Sequence, residues 1–196
     1  MEIQKLFPTP IGYIKNKEFT DRVLPIANEI LSNSNDTFWG YSTTYSNLSI
    51  KDKLLTYDWI VDYLMKISHE FVDKIGFSFR KPIEFSSLFV SKIERDKSHD
   101  THMHPGCIIS GVCYLSTQNC APLLIRDLRD VRNFAGLVRK ENNYESTESV
   151  TFMPKAGDII LFESWVPHKV PSMEDYSNNS NKELERSTLV FNVSYV

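Results

Sequence analysis

The sequence has no long apolar run and no block of basic residues. No segment approaches the roughly 20 apolar residues that a membrane-spanning helix needs, and Met1–Lys5 lacks the apolar core of a signal peptide. A formal net charge of -3 gives no sign of a nucleic-acid-binding surface. We therefore expect a cytoplasmic protein with neither a membrane nor a nucleic acid as partner.

Cysteine is scarce, and neither a repeat nor a linker divides the chain. The three cysteines, Cys107, Cys113 and Cys120, form an odd set without the spacing of a metal site. They indicate reduced thiols that serve as packing residues. No internal repeat is found, so residues 1–196 are predicted to form a single domain. The sequence leaves the oligomeric state open, a homodimer included.

The chain is rich in the residues that build a folded core. Hydrophobic residues make up 41% of it, with twelve Phe, nine Tyr and three Trp, which excludes a disordered protein. Apolar residues at helical spacing predict helices over Asp21–Leu31, with Pro25 inside the first turn, and over Asp58–Ile75. Ser32–Ser49, between them, is expected to be an ordered loop.

After Pro82 the apolar period changes from 3.6 to 2, and strands dominate to the end. We therefore predict an α+β chain that is mainly β. Residues 1–80 form a helical support, and residues 81–196 form a jelly-roll, cupin-like core. The predicted strands are Ser86–Ile93, Thr101–His104, Cys107–Leu115, Leu123–Asp127, Val150–Met153, Asp158–Phe162 and Ser187–Val196.

Two histidines lie at the end of one predicted strand. His102 and His104 are two residues apart, so on an extended backbone their imidazoles project from the same face and can converge on one cation. Neutral imidazole suits zinc, copper, iron and nickel. A surface pair without any metal is the alternative, unless a third ligand is present.

His168 is the candidate for that third ligand. It follows Pro167 and enters another predicted strand, downstream of the buried segment Asp158–Phe162. A histidine alone at this position would more often be structural. Together with the pair at His102 and His104, it becomes the distant third corner expected of a metal site in the mouth of a β-barrel.

The last predicted strand carries a positive charge that faces inward. Arg186 and Thr188 share the parity of Val190 and Asn192, so all four project to one face. The guanidinium offers a planar fork of donors and the Thr188 hydroxyl adds one more, so the two can hold a carboxylate. Burial of an arginine is costly unless an anion meets it. That anion is either a ligand or an Asp or Glu of the protein itself.

The order and spacing of short motifs resemble those of a family of 2-oxoglutarate- and iron(II)-dependent oxygenases over nearly the whole chain. The resemblance implies a double-stranded β-helix fold and the use of Fe(II), O2 and 2-oxoglutarate. The motifs are Phe7-Pro8-Thr9-Pro10, His102-x-His104-Pro105, Ser110-Gly111-Val112-x-Tyr114-Leu115, Asp127-x-Arg129, Pro154-x-x-Gly157-Asp158, Leu161-Phe162, Trp165, His168-x-Val170 and Arg186-x-Thr188-x-x-Phe191-Asn192.

The resemblance also implies roles for single residues. His102 and His168 would be iron ligands, and Arg186 with Thr188 would clamp the C5 carboxylate of 2-oxoglutarate. The Tyr114 hydroxyl either adds a hydrogen bond to the cosubstrate or belongs to an ordinary core tyrosine.

His104 departs from the pattern of the wider superfamily, in which most enzymes have His-x-Asp at this motif and a triad of two histidines and one carboxylate. Either His104 ligates iron itself, giving a three-histidine site, or it lies outside the coordination. In the second case Asp100, Asp127 or water fills the corner. Asp100 and His104 are about 13 Å apart along an extended strand, so both cannot join His102 on one ion without a bend.

Two polar segments are expected near the site. Residues 128–149 contain Arg129, Arg132, Arg139 and Lys140 and form either a substrate-facing or a solvated loop. Residues 169–185 form a connection to Arg186 that is longer than usual, either a mobile lid or a disordered segment.

The candidate metal and carboxylate sites and the family resemblance, which implies the cosubstrate, together predict an Fe(II)- and 2-oxoglutarate-dependent dioxygenase, a hydroxylase that releases succinate and CO2. Its substrate is not identified by the sequence. The rival predictions are a cupin-type enzyme with three histidines, such as a thiol dioxygenase or isomerase, and a non-catalytic metal-binding module. Arg186-x-Thr188 argues against both rivals, because neither needs a carboxylate clamp opposite the metal.

Overall fold

The computed structural model describes residues 8–38, 40–94, 97–127, 148–172 and 185–196. Phe7, Trp39, Arg129, Arg132, Arg139, Lys140 and most of the two polar segments lie outside this range. The helices are α1 (Lys17–Ser32), α2 (Leu48–Leu55) and α3 (Asp58–Lys74). The strands are β1 (Ile11–Lys15), β2 (Thr37–Phe38), β3 (Tyr41–Thr43), β4 (Ile83–Glu94), β5 (His99–His102), β6 (Ile109–Gln118), β7 (Leu123–Arg126), β8 (Ser149–Phe152), β9 (Asp158–Glu163), β10 (His168–Val170) and β11 (Glu185–Tyr195).

The two predicted helices are present, with one boundary in error. The span Asp58–Ile75 agrees with α3 to within one residue, and Gly76 follows it at a φ of +84°, a conformation that glycine adopts without strain. The start of the first helix at Asp21 was wrong. The side chain of Asn16 accepts a hydrogen bond from the Phe19 N–H, so α1 begins four residues earlier and Pro25 lies beyond its first turn.

The expected loop at Ser32–Ser49 was also wrong, because this segment holds two short strands and the start of a helix. β2 and β3 form a small hairpin, and β3 extends the main sheet through pairs with β4. The side chain of Asn47 accepts a hydrogen bond from the Ile50 N–H and starts α2. The elements are too short to show a hydrophobic period.

All strand pairs among the described residues are antiparallel, and they form two sheets. The larger has seven strands in the order β1-β9-β6-β11-β4-β3-β2, and the smaller has four in the order β5-β10-β7-β8. Both sheets supply residues to one apolar layer, including Val112 and Phe162 from the larger and Leu123 and Val170 from the smaller. This arrangement is the predicted double-stranded β-helix, a mainly β fold with three helices.

The helices cover the other face of the larger sheet. Phe19 and Val23 of α1 and Leu64 of α3 share a buried cluster with Leu88 and Leu189 of the sheet. Residues of β11 therefore alternate between two environments, because successive side chains of a strand point to opposite faces. Leu189 and Phe191 face the helices, which leaves Arg186 and Thr188 to face the smaller sheet. No helix in the described ranges is both long and apolar enough to cross a membrane.

Candidate functional site

A cavity of about 150 Å³ lies between the two sheets. Its wall includes His102, His104 and His168, and it also includes Arg186 and Thr188. Two strands of the smaller sheet, the turn that follows β5 and the last strand of the larger sheet thus bring five residues singled out in the sequence to one cavity.

The three histidines form one group. His102 and His168 face each other as register partners on β5 and β10, with ring centroids 4.2 Å apart. His104 lies two residues past the end of β5, and its ring centroid is 5.1 Å from each of the other two. One nitrogen from each ring lies within 4.8 Å of the others, a spacing that a metal ion can span.

The predicted strand Thr101–His104 was displaced by two residues, because the structure has β5 at His99–His102. A turn rather than a strand therefore orients His104. Its backbone N–H donates to the carbonyl of Ser164, in the segment between β9 and β10. The Ser164 hydroxyl is in turn hydrogen-bonded to that of Ser110 at 2.8 Å. The segment that leads to His168 thus also anchors His104.

Backbone carbonyls fix which ring nitrogen faces the cavity. The Nδ1–H of His102 donates to the carbonyl of Asp100 at 2.7 Å, and the Nδ1–H of His168 donates to that of Val166 at 2.9 Å. A carbonyl only accepts, so Nδ1 carries the proton in both rings and Nε2 keeps its lone pair. This is the tautomer that binds a metal through Nε2.

Burial keeps these imidazoles neutral. Burial, together with the smaller effect of the neighbouring His102, lowers the pKa of His168 to about 2 and that of His104 to about 4. Burial also lowers the pKa of His102, against the opposing effect of its bond to Asp100. Metal binding at neutral pH therefore requires little proton release from this group.

The two alternative carboxylates do not join the group. Asp100 is exposed and contributes its backbone carbonyl to His102. Asp127 follows β7 and is half-buried, with its N–H donating to the carbonyl of Glu148. Within the described ranges, the group that could hold an ion consists of three histidines.

Arg186 is buried without a protein anion among the described residues. The side chain is 3% exposed, and its Nη2 donates to the Tyr114 hydroxyl at 3.3 Å. The Nε and Nη1 atoms are buried without a hydrogen-bond partner. A guanidinium left in this state costs several kcal/mol, roughly, unless an anion binds it. The sequence had left open an Asp or Glu of the protein as that anion, and none is found in the described part of the chain.

Hydroxyl groups lie in a row beside the arginine. Thr188 is the register partner of Ser91 on β4 and of Tyr114 on β6. The Ser91 hydroxyl lines the cavity and is hydrogen-bonded to that of Thr43 at 2.8 Å. Tyr114 is fully buried and contacts the guanidinium instead of lining the cavity, with its ring centroid 4.8 Å from the Arg186 Cζ.

Sequence reasoning missed several wall residues, among them Tyr41, Tyr45, Phe89, Ser91 and His99. Phe89 and Ser91 are two residues apart on β4, so their side chains project from the same face of the strand towards the cavity. The alternation of side chains along this strand could have identified both. Tyr41 and Tyr45 lie in the segment expected to be a loop. No motif links His99 to the site, since it precedes His102 by three residues and so does not share its parity.

A family model described as "Putative 2OG-Fe(II) oxygenase" matches residues 87–192, more than half of the chain. The protein belongs to this family of oxygenases. No curated protein is detectably similar in sequence. The predicted family and its cofactors, Fe(II) and 2-oxoglutarate with O2, are confirmed.

Several solved structures have the same fold as this chain. The carbocyclase SnoK from nogalamycin biosynthesis gives a TM-score of 0.62 at 10% identity over 95% of this chain and 82% of its own. A prolyl-4-hydroxylase from Pseudomonas putida gives 0.58 at 15% identity over 96% and 94%. HygX from Streptomyces hygroscopicus, with nickel and 2-oxoglutarate bound, gives 0.54 at 10% identity over 96% and 83%.

The site of this 2OG-Fe(II) oxygenase family member fits both cofactors. Three neutral imidazoles suit Fe(II). The partnerless Nε and Nη1 of Arg186 suit the free carboxylate of 2-oxoglutarate.

Proposed function

We propose that the protein is an Fe(II)- and 2-oxoglutarate-dependent dioxygenase that hydroxylates a C–H bond of its substrate. One atom of O2 enters the new hydroxyl, and the other enters succinate as 2-oxoglutarate loses CO2. The observation that carries the proposal is the presence, in one cavity, of the three-histidine group and a buried arginine without a protein anion.

In this proposal His102, His104 and His168 hold the metal. Their Nε2 atoms are presented by the hydrogen bonds at Nδ1 for His102 and His168, and by the turn bound to Ser164 for His104. When bound, iron supplies the activation of O2, which side chains cannot supply. Three protein ligands leave the remaining positions for the cosubstrate and for O2.

Arg186 and Thr188 hold the distal carboxylate of 2-oxoglutarate. Two nitrogens of the guanidinium, Nε and Nη1, have no partner and can donate to it, and the third, Nη2, donates to the Tyr114 hydroxyl. Ser91, opposite Thr188, lies where its hydroxyl adds a further contact. Tyr114 thus orients the arginine, a role outside the two that the sequence had left open, a hydrogen bond to the cosubstrate or an ordinary core tyrosine.

Apolar walls exclude water from the reacting atoms. Val112, Phe162 and Val190 line the cavity, and the Phe162 ring packs on His168 at 4.6 Å between centroids. A dry cavity strengthens the bond between the arginine and the carboxylate. The three unpaired cysteines support a reducing compartment, and we place the protein in the cytoplasm.

Anaerobic titration of the metal-free protein with Fe(II) and then 2-oxoglutarate tests this function. Chelation of the cosubstrate by iron gives a weak visible charge-transfer band, which we expect to saturate at one equivalent. Omission of either component should abolish the band. Stoichiometric iron binding without any band would instead favour a three-histidine cupin that does not use 2-oxoglutarate.

A further inference from the structure

We propose that Tyr41 and His99 form a positioning pair that fixes the ring of His102 from outside the metal group. The inference rests on the proposed function, since it takes His102 as a metal ligand. It adds two residues that no sequence motif marks.

His99 lies flat against His102. The two ring centroids are 3.9 Å apart and the ring planes differ by 14°, a stacked arrangement. The bond from Nδ1 of His102 to the Asp100 carbonyl holds one edge of the His102 ring. Rotation of the ring about that bond is limited by neighbours on the ring faces, and His99 occupies one face.

Tyr41 in turn holds His99. Its hydroxyl lies 3.1 Å from Nδ1 of His99, and the two ring centroids are 5.8 Å apart. Tyr41 is 4% exposed, so the hydrogen bond forms where water competes poorly. Both residues line the same cavity as the metal group.

The pair also joins the two sheets. Tyr41 belongs to β3 of the larger sheet, and His99 belongs to β5, which is the terminal strand of the smaller sheet among the described strands. In this part of the chain the backbone of β5 pairs with β10, and the register is irregular between His168 and Val170. The bond between Tyr41 and His99 supports β5 from the larger sheet, so the position of His102 depends on a residue 61 positions earlier in the chain.

Binding of Co(II) to the metal-free protein, followed by its visible absorption, tests the pair without turnover. His99→Ala removes the stack and the hydrogen bond, and we expect Co(II) affinity to fall about tenfold or more, with an altered spectrum. His99→Phe keeps a flat ring and should recover most of the affinity. Tyr41→Phe loses one neutral hydrogen bond and should weaken binding about fivefold.

Matched controls come from residues outside the cavity. Tyr13→Phe deletes a hydroxyl that donates to Asp158 at 2.6 Å, and His69→Ala removes a ring that packs on Phe79 at 5.0 Å. Both controls should bind Co(II) as the wild type does. Thermal unfolding of every variant separates a loss of ligand position from a loss of fold.

Wild-type affinity and an unchanged spectrum in His99→Ala would overturn the inference. If His99→Ala does not fold, the double variant Tyr41→Phe/His99→Phe carries the test. Its affinity should equal that of His99→Phe, because in both variants the bond between residues 41 and 99 is gone, and an additional fivefold loss would overturn the inference. Failure of the wild type itself to bind Co(II) would sink the proposed function, a result distinct from both.

Discussion

Two of the candidate ligands are oriented by the same local device. In both His102 and His168, Nδ1–H donates to the carbonyl two residues earlier, at Asp100 and at Val166. The tautomer of each ring is therefore set by its own backbone and does not depend on a remote carboxylate. His104 lacks such a contact among the hydrogen bonds described, and its backbone N–H is fixed instead.

This difference leads to a prediction for the metal group. His168→Ala should abolish stable iron binding and succinate formation, because no neighbour can replace a ligand supplied by β10. His104→Ala should weaken iron binding at least about tenfold. Asp100→Ala and Asp127→Ala should leave it nearly unchanged, since neither side chain joins the group. Iron stoichiometry and affinity measure these effects, and the reverse ranking would establish a carboxylate in the third position.

Arg186 carries the second prediction at this scale. Arg186→Ala should leave metal affinity almost intact and raise the 2-oxoglutarate requirement at least about a hundredfold, since a lost buried charge partner costs about 3–5 kcal/mol. Arg186→Lys should fall between, because lysine keeps the charge and loses the fork. Thr188→Ala should cost about 1 kcal/mol.

2-Oxobutyrate, which lacks the distal carboxylate, is the matched ligand control for these variants. It should bind the wild type and Arg186→Ala equally well in the metal-loaded protein. If Arg186→Ala weakened both ligands alike, the arginine would support the fold and not the carboxylate.

Among the elements, those with a clear hydrophobic period were predictable and those without one were not. α3 shows seven apolar positions on one stripe, and β11 alternates between two buried faces, so both were found from the sequence. β2, β3 and α2 have two, three and eight residues, too few for a period to emerge. The contact between Tyr41 and His99 joins residues 58 positions apart. The sequence patterns of the two short strands that carry them do not predict this contact.

The pairing of β6 with β11 contains a position that only glycine fits. Gly111 is the register partner of Phe191, and a Cβ at Gly111 would come within 2.1 Å of the Phe191 Cζ. Gly111→Ala should therefore destabilise the protein by about 1–3 kcal/mol, the usual cost of overpacking a core. Urea unfolding measures the loss.

A second substitution tests the cause of that loss. Phe191→Leu shortens the opposing side chain, so Gly111→Ala should cost less in the Phe191→Leu background than in the wild type. Equal costs in both backgrounds would place the strain in the backbone of β6 and not in the contact with Phe191.

The site depends on both sheets of the molecule. The smaller sheet and the turn after β5 supply the three histidines, and the larger sheet supplies Arg186, Thr188 and Ser91. Neither sheet holds a complete site. A ligand that contacts both sheets stabilises their packing by mass action, so metal and cosubstrate together should raise the unfolding temperature more than metal alone.

The buried histidines also make the stability of the metal-free protein dependent on pH. The pKa of His168 is about 2 and that of His104 about 4 in the folded protein, against about 6.5 in an unfolded chain. As the pH falls below about 6.5, the unfolded chain binds protons that the folded protein does not. The contribution of these histidines to the free energy of unfolding is therefore fully present above that pH, and it is lost as the pH falls towards their folded pKa values. The free energy of unfolding should thus be lower at pH 5 than at pH 7.5. His168→Asn removes one of these groups, and its unfolding free energy should change less between the two pH values. An equal pH dependence in the variant would show that the pKa of His168 in the folded protein lies near its value in the unfolded chain, and that burial does not lower it.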